Sequence, residues 1–124
     1  MIIAGFGFRS GATAKSLKDA YEKLGGGADA IAVPDDKAGA LCFKQLVADL
    51  DLPLHKISAE AMQSVQTQTQ AKRVIEKRGT GSVAEACALV AAGSEGRLIA
   101  ARHISEDRMA TCALAMATSE GYDR

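Results

Sequence analysis

The sequence contains no tryptophan and two prolines, and aromatic residues make up only 4% of its 124 positions. A core of stacked rings is therefore excluded, and burial must rest on aliphatic and small side chains. Neither sign of charge is in excess, since 15 Lys plus Arg balance 15 Asp plus Glu. Nucleic-acid binding needs a clustered surplus of basic charge, so no nucleic-acid partner is expected. A charged ligand must instead be held locally. No apolar run approaches the roughly 18 residues of a membrane span. A strand-like pattern begins at Ile2, so neither a membrane anchor nor a leader is expected. The three cysteines, Cys42, Cys87 and Cys112, are odd in number, widely spaced and set among apolar residues. They suit a reducing cytoplasm and no disulfide framework.

Small residues are abundant. The chain has 24 alanines and 12 glycines, together 36 of 124 residues. Such a composition favours a core in which backbones approach closely. The length suits one domain over residues 1–124, large enough to hold a core without staples.

Ile2 to Phe8 is an apolar run interrupted by glycine, predicting a buried strand. Thr13 to Leu24 carries Ala14, Leu17, Ala20, Tyr21 and Leu24 on one helical face, and Gly25-Gly26-Gly27 ends it. Ala28 to Val33 predicts a second strand stopped by Pro34, and Ala38 to Leu50 a second helix. Leu52 to Ile57 predicts a third strand. Glu60 to Val65 is consistent with a helical turn, and Thr69 or Gln70 to Lys77 with a short helix stopped by Gly79. Ser82 to Ala92 is apolar on most sides, as befits a deeply buried helix. Leu98 to Ile104 and Met109 to Ala117 are strand patterns joined by four residues, which permits only an antiparallel hairpin. On the last strand Thr111, Ala113, Ala115 and Ala117 share a face small enough for close helix packing. The expected fold is a three-layer α/β/α domain. Its sheet has five strands, mixed but mainly parallel, with a C-terminal antiparallel hairpin.

Three segments carry candidate chemistry. Gly5-Phe6-Gly7-Phe8-Arg9-Ser10-Gly11 joins the first strand to the first helix. Glycines expose backbone N–H groups, the helix start adds positive polarity, and Arg9 supplies a fork for a carboxylate or phosphate. The spacing is GxGxxxG, unlike the dinucleotide fingerprint, and 124 residues leave little room for a nicotinamide site plus a substrate domain. Pro34-Asp35-Asp36-Lys37 follows the second strand, where Lys37 adds a second cation. Gly79-Thr80-Gly81-Ser82-Val83-Ala84-Glu85 precedes the buried helix. Ser82 and Glu85 have capping-box spacing, in which Glu85 reaches back to the Ser82 amide. Glu85 is thus a weak candidate for catalysis and a strong one for capping. His55 and His103 have no partner at metal-ligand spacing, so neither metal nor cofactor is expected. Glu106 and Asp107 sit in the hairpin turn as solvated residues.

Taken together these motifs resemble the family of CobE and the C-terminal domain of CbiG, proteins of cobalamin (corrinoid) biosynthesis. The family's GxGxRxG loop is matched by Gly5, Gly7, Arg9 and Gly11, its lysine after the second strand by Lys37, and its threonine by Thr69. The GxxSVAEAxAL pattern is met by Gly79, Ser82, Val83, Ala84, Glu85, Ala86, Ala88 and Leu89. The closing T-x-A-x-A strand is met by Thr111, Ala113 and Ala115. Many members have Cys-Arg-Arg where this chain has Phe8-Arg9-Ser10, and Ala71 and Met116 also depart from the pattern. The resemblance implies a role in the corrin pathway, with a precorrin-type tetrapyrrole as partner and, as a further partner, another enzyme of that pathway. The expected ligand-binding set is Gly5, Gly7, Arg9, Ser10, Gly11, Lys37, Thr69, Gly79, Gly81 and Ser82. Binding or handover of an anionic intermediate by the isolated domain is the primary expectation. The alternative is a hydrolase-type enzyme, or its accessory subunit, opening a precorrin lactone with release of acetaldehyde.

Overall fold

The computed structural model describes residues 1–117, with the main chain only at Lys77. The last seven positions of the expected 1–124 domain, 118–124, lie outside the described residues. The elements run β1 (Ile2–Phe8), α1 (Ala14–Lys23), β2 (Ala30–Pro34), α2 (Leu41–Leu50), β3 (Leu54–Ile57) and α3 (Ala59–Gln63). They continue with α4 (Lys72–Arg78), α5 (Val83–Ala92), β4 (Arg97–Ile104) and β5 (Ala110–Met116). One five-stranded sheet has the order β3-β2-β1-β5-β4. The β1–β2 and β2–β3 pairs are parallel, whereas β5 runs antiparallel to both β1 and β4. Four strands thus share one direction and β5 opposes them, which is the mixed α/β sheet with a terminal hairpin that the pattern predicts.

Element starts differ from the periodic pattern for local reasons. α2 begins at Leu41, not Ala38, because residues 35–37 form a 3-10 turn first. β2 keeps Pro34, whose ring needs no ladder donor there and which lies in register with Ile57 of β3. Gly79 ends α4 at φ 74°, a left-handed conformation that glycine adopts without steric cost.

Helices cover both faces of the sheet. On one side Leu17, Ala20 and Tyr21 of α1 and Phe43 and Leu46 of α2 pack on Ala4, Phe6, Ile31, Val33, Cys112 and Leu114. On the other, Met62 of α3 and Ala86, Cys87, Ala88 and Ala92 of α5 pack on Ile3, Ala30, Ala32 and Ala115. The small face of β5 is therefore the one that receives α5. Among the described residues no helix is long and apolar enough to cross a membrane.

The α5–β1 contact is the tightest in the fold. A Cβ placed on Gly5 would lie 2.1 Å from the Ala84 carbonyl oxygen and 2.6 Å from the Ala88 nitrogen. Both obstacles are backbone atoms and neither can swing aside. Gly5→Ala should lower unfolding stability by about 3 kcal/mol, because α5 must lift off the sheet. Gly39→Ala meets nothing within 4 Å and should change it by less than about 1 kcal/mol. Urea midpoints of the two variants check this contrast, and equal midpoints would refute it.

Candidate functional site: a basic hollow at the sheet edge

The strand ends that meet at one sheet edge are Phe8 of β1, Ile104 of β4 and Ala110 of β5. They border a hollow of about 640 Å³ together with α4 and the first residue of α5. Its cations are Arg9, Lys37, Arg73, Arg78, Arg102 and Arg108, and no acidic side chain or histidine lines it among the described residues. Among the described side chains, five of six arginines gather here against one of seven lysines. The preference matters, because a guanidinium fork can grip a carboxylate with two parallel hydrogen bonds and an ammonium cannot. Phe8, Val74, Val83, Ile104 and Met109 add an apolar lining between the charges.

Each element delivers its cation for a local reason. Arg9 follows β1, and its N–H donates to the Met109 carbonyl (2.9 Å), which holds the glycine loop against the hairpin. Lys37 comes from the 3-10 turn after β2, with its ammonium 5.2 Å from the centroid of the Phe8 ring. That distance lies within the attractive range of a cation over an aromatic face. Arg73 and Arg78 project from α4. Arg78 also donates to both carboxylate oxygens of Asp36 at 3.2 Å, joining α4 to the 3-10 turn. Arg108 occupies the hairpin turn with φ 63°, an uncommon conformation for a side-chain-bearing residue.

Arg102 depends on a bulge. Ala100 pairs with Leu114 and His103 with Cys112, so β4 carries an extra residue between those pairs. The Arg102 N–H donates to Glu85 Oε2 at 2.8 Å, a contact a regular ladder would not leave free. Glu85 is fully buried on α5, yet it also accepts from the Thr69 N–H (2.8 Å) and the Thr69 hydroxyl (2.6 Å). Burial pushes its carboxyl up. The bonds from Arg102, Thr69 and Gln68 outweigh that and hold it below the usual glutamate range. The reciprocal capping box read from Ser82-x-x-Glu85 is thus only half made. Ser82 Oγ accepts from the Glu85 N–H (3.2 Å), but the Glu85 carboxylate ties the Thr69 segment to β4 instead. A buried charge takes the donors that best offset its desolvation, and spacing along one helix does not reveal donors from elsewhere.

The expected ligand-binding residues separate into three places. Gly7, Arg9, Ser10 and Lys37 line the basic hollow. Gly79 and Gly81 line a second, smaller one. Gly5 lies beneath α5, Ser82 is fully buried, Thr69 is bonded to Glu85, and a Cβ at Gly11 would meet the Met109 methyl at 2.8 Å. The start of α1 is already served internally. Thr13 and Ser16 cap one another, and Ser16 Oγ donates to Asp107 Oδ2 at 2.6 Å. Asp107 is therefore exposed but anchored, not merely solvated. Hydrogen bonds from Ser105 first, then Ser16, lower its pKa. Arg73, Arg78, Arg102 and Arg108 were not among the expected residues. No local pattern in the sequence marks them, since they come from α4, a bulged strand and a turn.

The depressed Glu85 carboxyl makes stability pH-dependent. Its folded pKa lies below the unfolded value, so the unfolded chain binds the proton first and stability is lost as pH falls through the acid range below about 4.3. Asp107 acts in the same direction. Glu85→Gln should flatten this acid loss and destabilise the protein near pH 7 by about 2–3 kcal/mol, since its NH₂ faces donors. Urea melts across the acid range check both signs.

The family model for the cobalamin synthesis G C-terminus matches residues 2–115. No curated protein sequence matches. CobE, a protein from the cobalamin (vitamin B12) biosynthetic pathway, superposes with a TM-score of 0.78 at 27% identity, covering 93% of this chain and 89% of its own. The cobalamin biosynthesis protein chiG from Agrobacterium tumefaciens gives 0.71 at 30% identity over 95% of this chain and 99% of its own. A cobalamin biosynthesis protein G homologue from Sulfolobus solfataricus shares the fold, with a TM-score of 0.69 at 20% identity, and this chain covers 37% of its length. A family match over residues 2–115, and structural matches that cover 93% and 95% of the chain, assign this protein to the cobalamin biosynthesis G C-terminal family.

Proposed function

We propose that this protein binds a multi-carboxylate tetrapyrrole intermediate of cobalamin biosynthesis in the basic hollow and releases it unchanged. The observation that carries this reading is the lining: five arginines and a lysine, interleaved with apolar side chains, with no acidic residue among the described lining residues, although Arg78 also pairs with Asp36. A corrinoid precursor presents acid groups around an apolar ring, which is the complement of that surface. Two well-placed charge-assisted hydrogen bonds contribute about 3–6 kcal/mol. Burying about 150 Å² of ring face adds roughly 4 kcal/mol. Association costs subtract from that sum, so binding is expected to be about micromolar or weaker, which suits handover of an intermediate.

The same lining favours binding over lactone hydrolysis. A hydrolytic step needs a general base within reach of the reacting centre. Glu85 is fully covered and its oxygens are occupied, while Asp35, Asp36, His55 and His103 do not line the hollow.

Absorbance titration with hydrogenobyrinic acid tests the proposal. A saturable spectral change with a Kd of about 1–100 µM is expected, weakening as salt rises from about 0.05 to 0.5 M. Arg9→Ala and Arg73→Ala, both on exposed positions, should each raise Kd about tenfold, while Lys44→Ala on α2 leaves it unchanged. An unaltered spectrum at about 100 µM ligand, or equal affinity in all three variants, would overturn it.

A further inference from the structure

Among the described residues Glu85 is the only acidic side chain that is buried. Its carboxylate neither completes the cap of α5 nor lines the basic hollow. A carboxylate removed from water is unfavourable unless its donors offset the loss, and an apolar side chain would fill the space without that demand. The donors it gathers lead to the hollow.

Thr69, like Glu85, does not line the hollow. Its N–H donates to Glu85 Oε1 at 2.8 Å and its hydroxyl to Oε2 at 2.6 Å. The Arg102 N–H donates to the same Oε2 at 2.8 Å. One oxygen thus joins the Thr69 hydroxyl to the backbone of β4, and a shift of either donor moves the acceptor of the other. β4 is an edge strand, paired with β5 alone. Ala101 and Arg102 stand between the pairs Ala100–Leu114 and His103–Cys112, where β5 has only Ala113. A bulge re-aims the side chain that it carries. The register skips Arg102, and its N–H is fixed by Glu85 instead. Its side chain lines the hollow.

We propose that Glu85 is a positioning residue for the basic hollow: Thr69 holds its carboxylate, the carboxylate holds the bulge of β4, and the bulge aims the Arg102 guanidinium at a bound anion. This rests on the binding reading given above for the hollow. Neither Glu85 nor Thr69 touches the ligand.

Hydrogenobyrinic acid is titrated against Thr69→Val, Glu85→Gln, Arg102→Ala and their double variants. Thr69→Val keeps the shape and removes the 2.6 Å bond. It should raise Kd about threefold to fivefold, and Thr69→Ser should restore it. Glu85→Gln should raise Kd about fivefold to tenfold. In the Arg102→Ala background each loss should shrink to within about twofold, whereas in the Arg9→Ala background it should persist in full. A general loosening of the fold would act alike in both backgrounds. Thermal unfolding identifies the folded variants, and should Glu85→Gln not fold, Thr69→Val carries the comparison. Native affinity in folded Thr69→Val, or equal losses in the two backgrounds, would overturn the positioning role and leave ligand binding intact. If the native protein leaves the hydrogenobyrinic acid spectrum unaltered, the binding reading falls instead. Inorganic pyrophosphate, followed through the arginine Nε–H signals, is then the probe. The same pattern of variants upholds the positioning role for a simple anion, and its absence overturns that role as well.

Discussion

The backbone of α5 rests directly on β1, and much of the molecule's working geometry follows from that contact. A single methyl group at Gly5 would collide with the Ala84 carbonyl at 2.1 Å. Gly7, two residues on, admits Val83 on the same face: a Cβ there would lie 3.2 Å from the Val83 Cβ. The first turn of α5 is thereby set down at the carboxyl end of β1. Ala113 and Ala115 of the neighbouring strand are fully buried, and they keep the platform shallow where larger side chains would hold the helix away. Glu85 rides on the same helix, and its carboxylate gathers Thr69 and Arg102 from two other parts of the chain. One close approach thus positions the segment leading into α4 as well as the bulged strand that carries Arg102.

Charge is sorted in space although it cancels in sum. Most lysines sit on solvated helix faces, where Lys18 pairs with Asp49 and Lys23 with Asp19. Such exposed pairs contribute little to stability. The arginines gather instead at one sheet edge, where the Arg78 guanidinium pairs with the largely exposed Asp36. Two carboxylates are engaged internally. Asp107 accepts from the Ser16 hydroxyl near the start of α1, and Glu85 accepts from Thr69 and Arg102. On the binding reading proposed above, an external anion would meet guanidinium groups, whose five donors in a planar fork can grip two oxygens at once.

The hollow also combines two requirements that oppose each other. Six cations confined at one edge repel one another, and apolar side chains lie between them. A ligand with several carboxylates and a flat apolar body relieves both, since it neutralises the charges while covering Phe8, Val83 and Met109.

Strand and helix patterns, the hairpin and the small face of β5 were legible in the residue order, because periods of two and 3.6 and a four-residue link are local properties. Arg9 and Lys37 were legible for the same reason: each lies within three residues of the end of a strand. The other four arginines were not, since they come from α4, a bulge and a turn whose meeting depends on contacts between distant segments. Glu85 shows the limit most clearly. Its spacing from Ser82 specifies a helix cap, but a buried carboxylate goes to the strongest donors available, and those belong to Thr69 and Arg102, brought within reach only when the sheet and α5 close on each other.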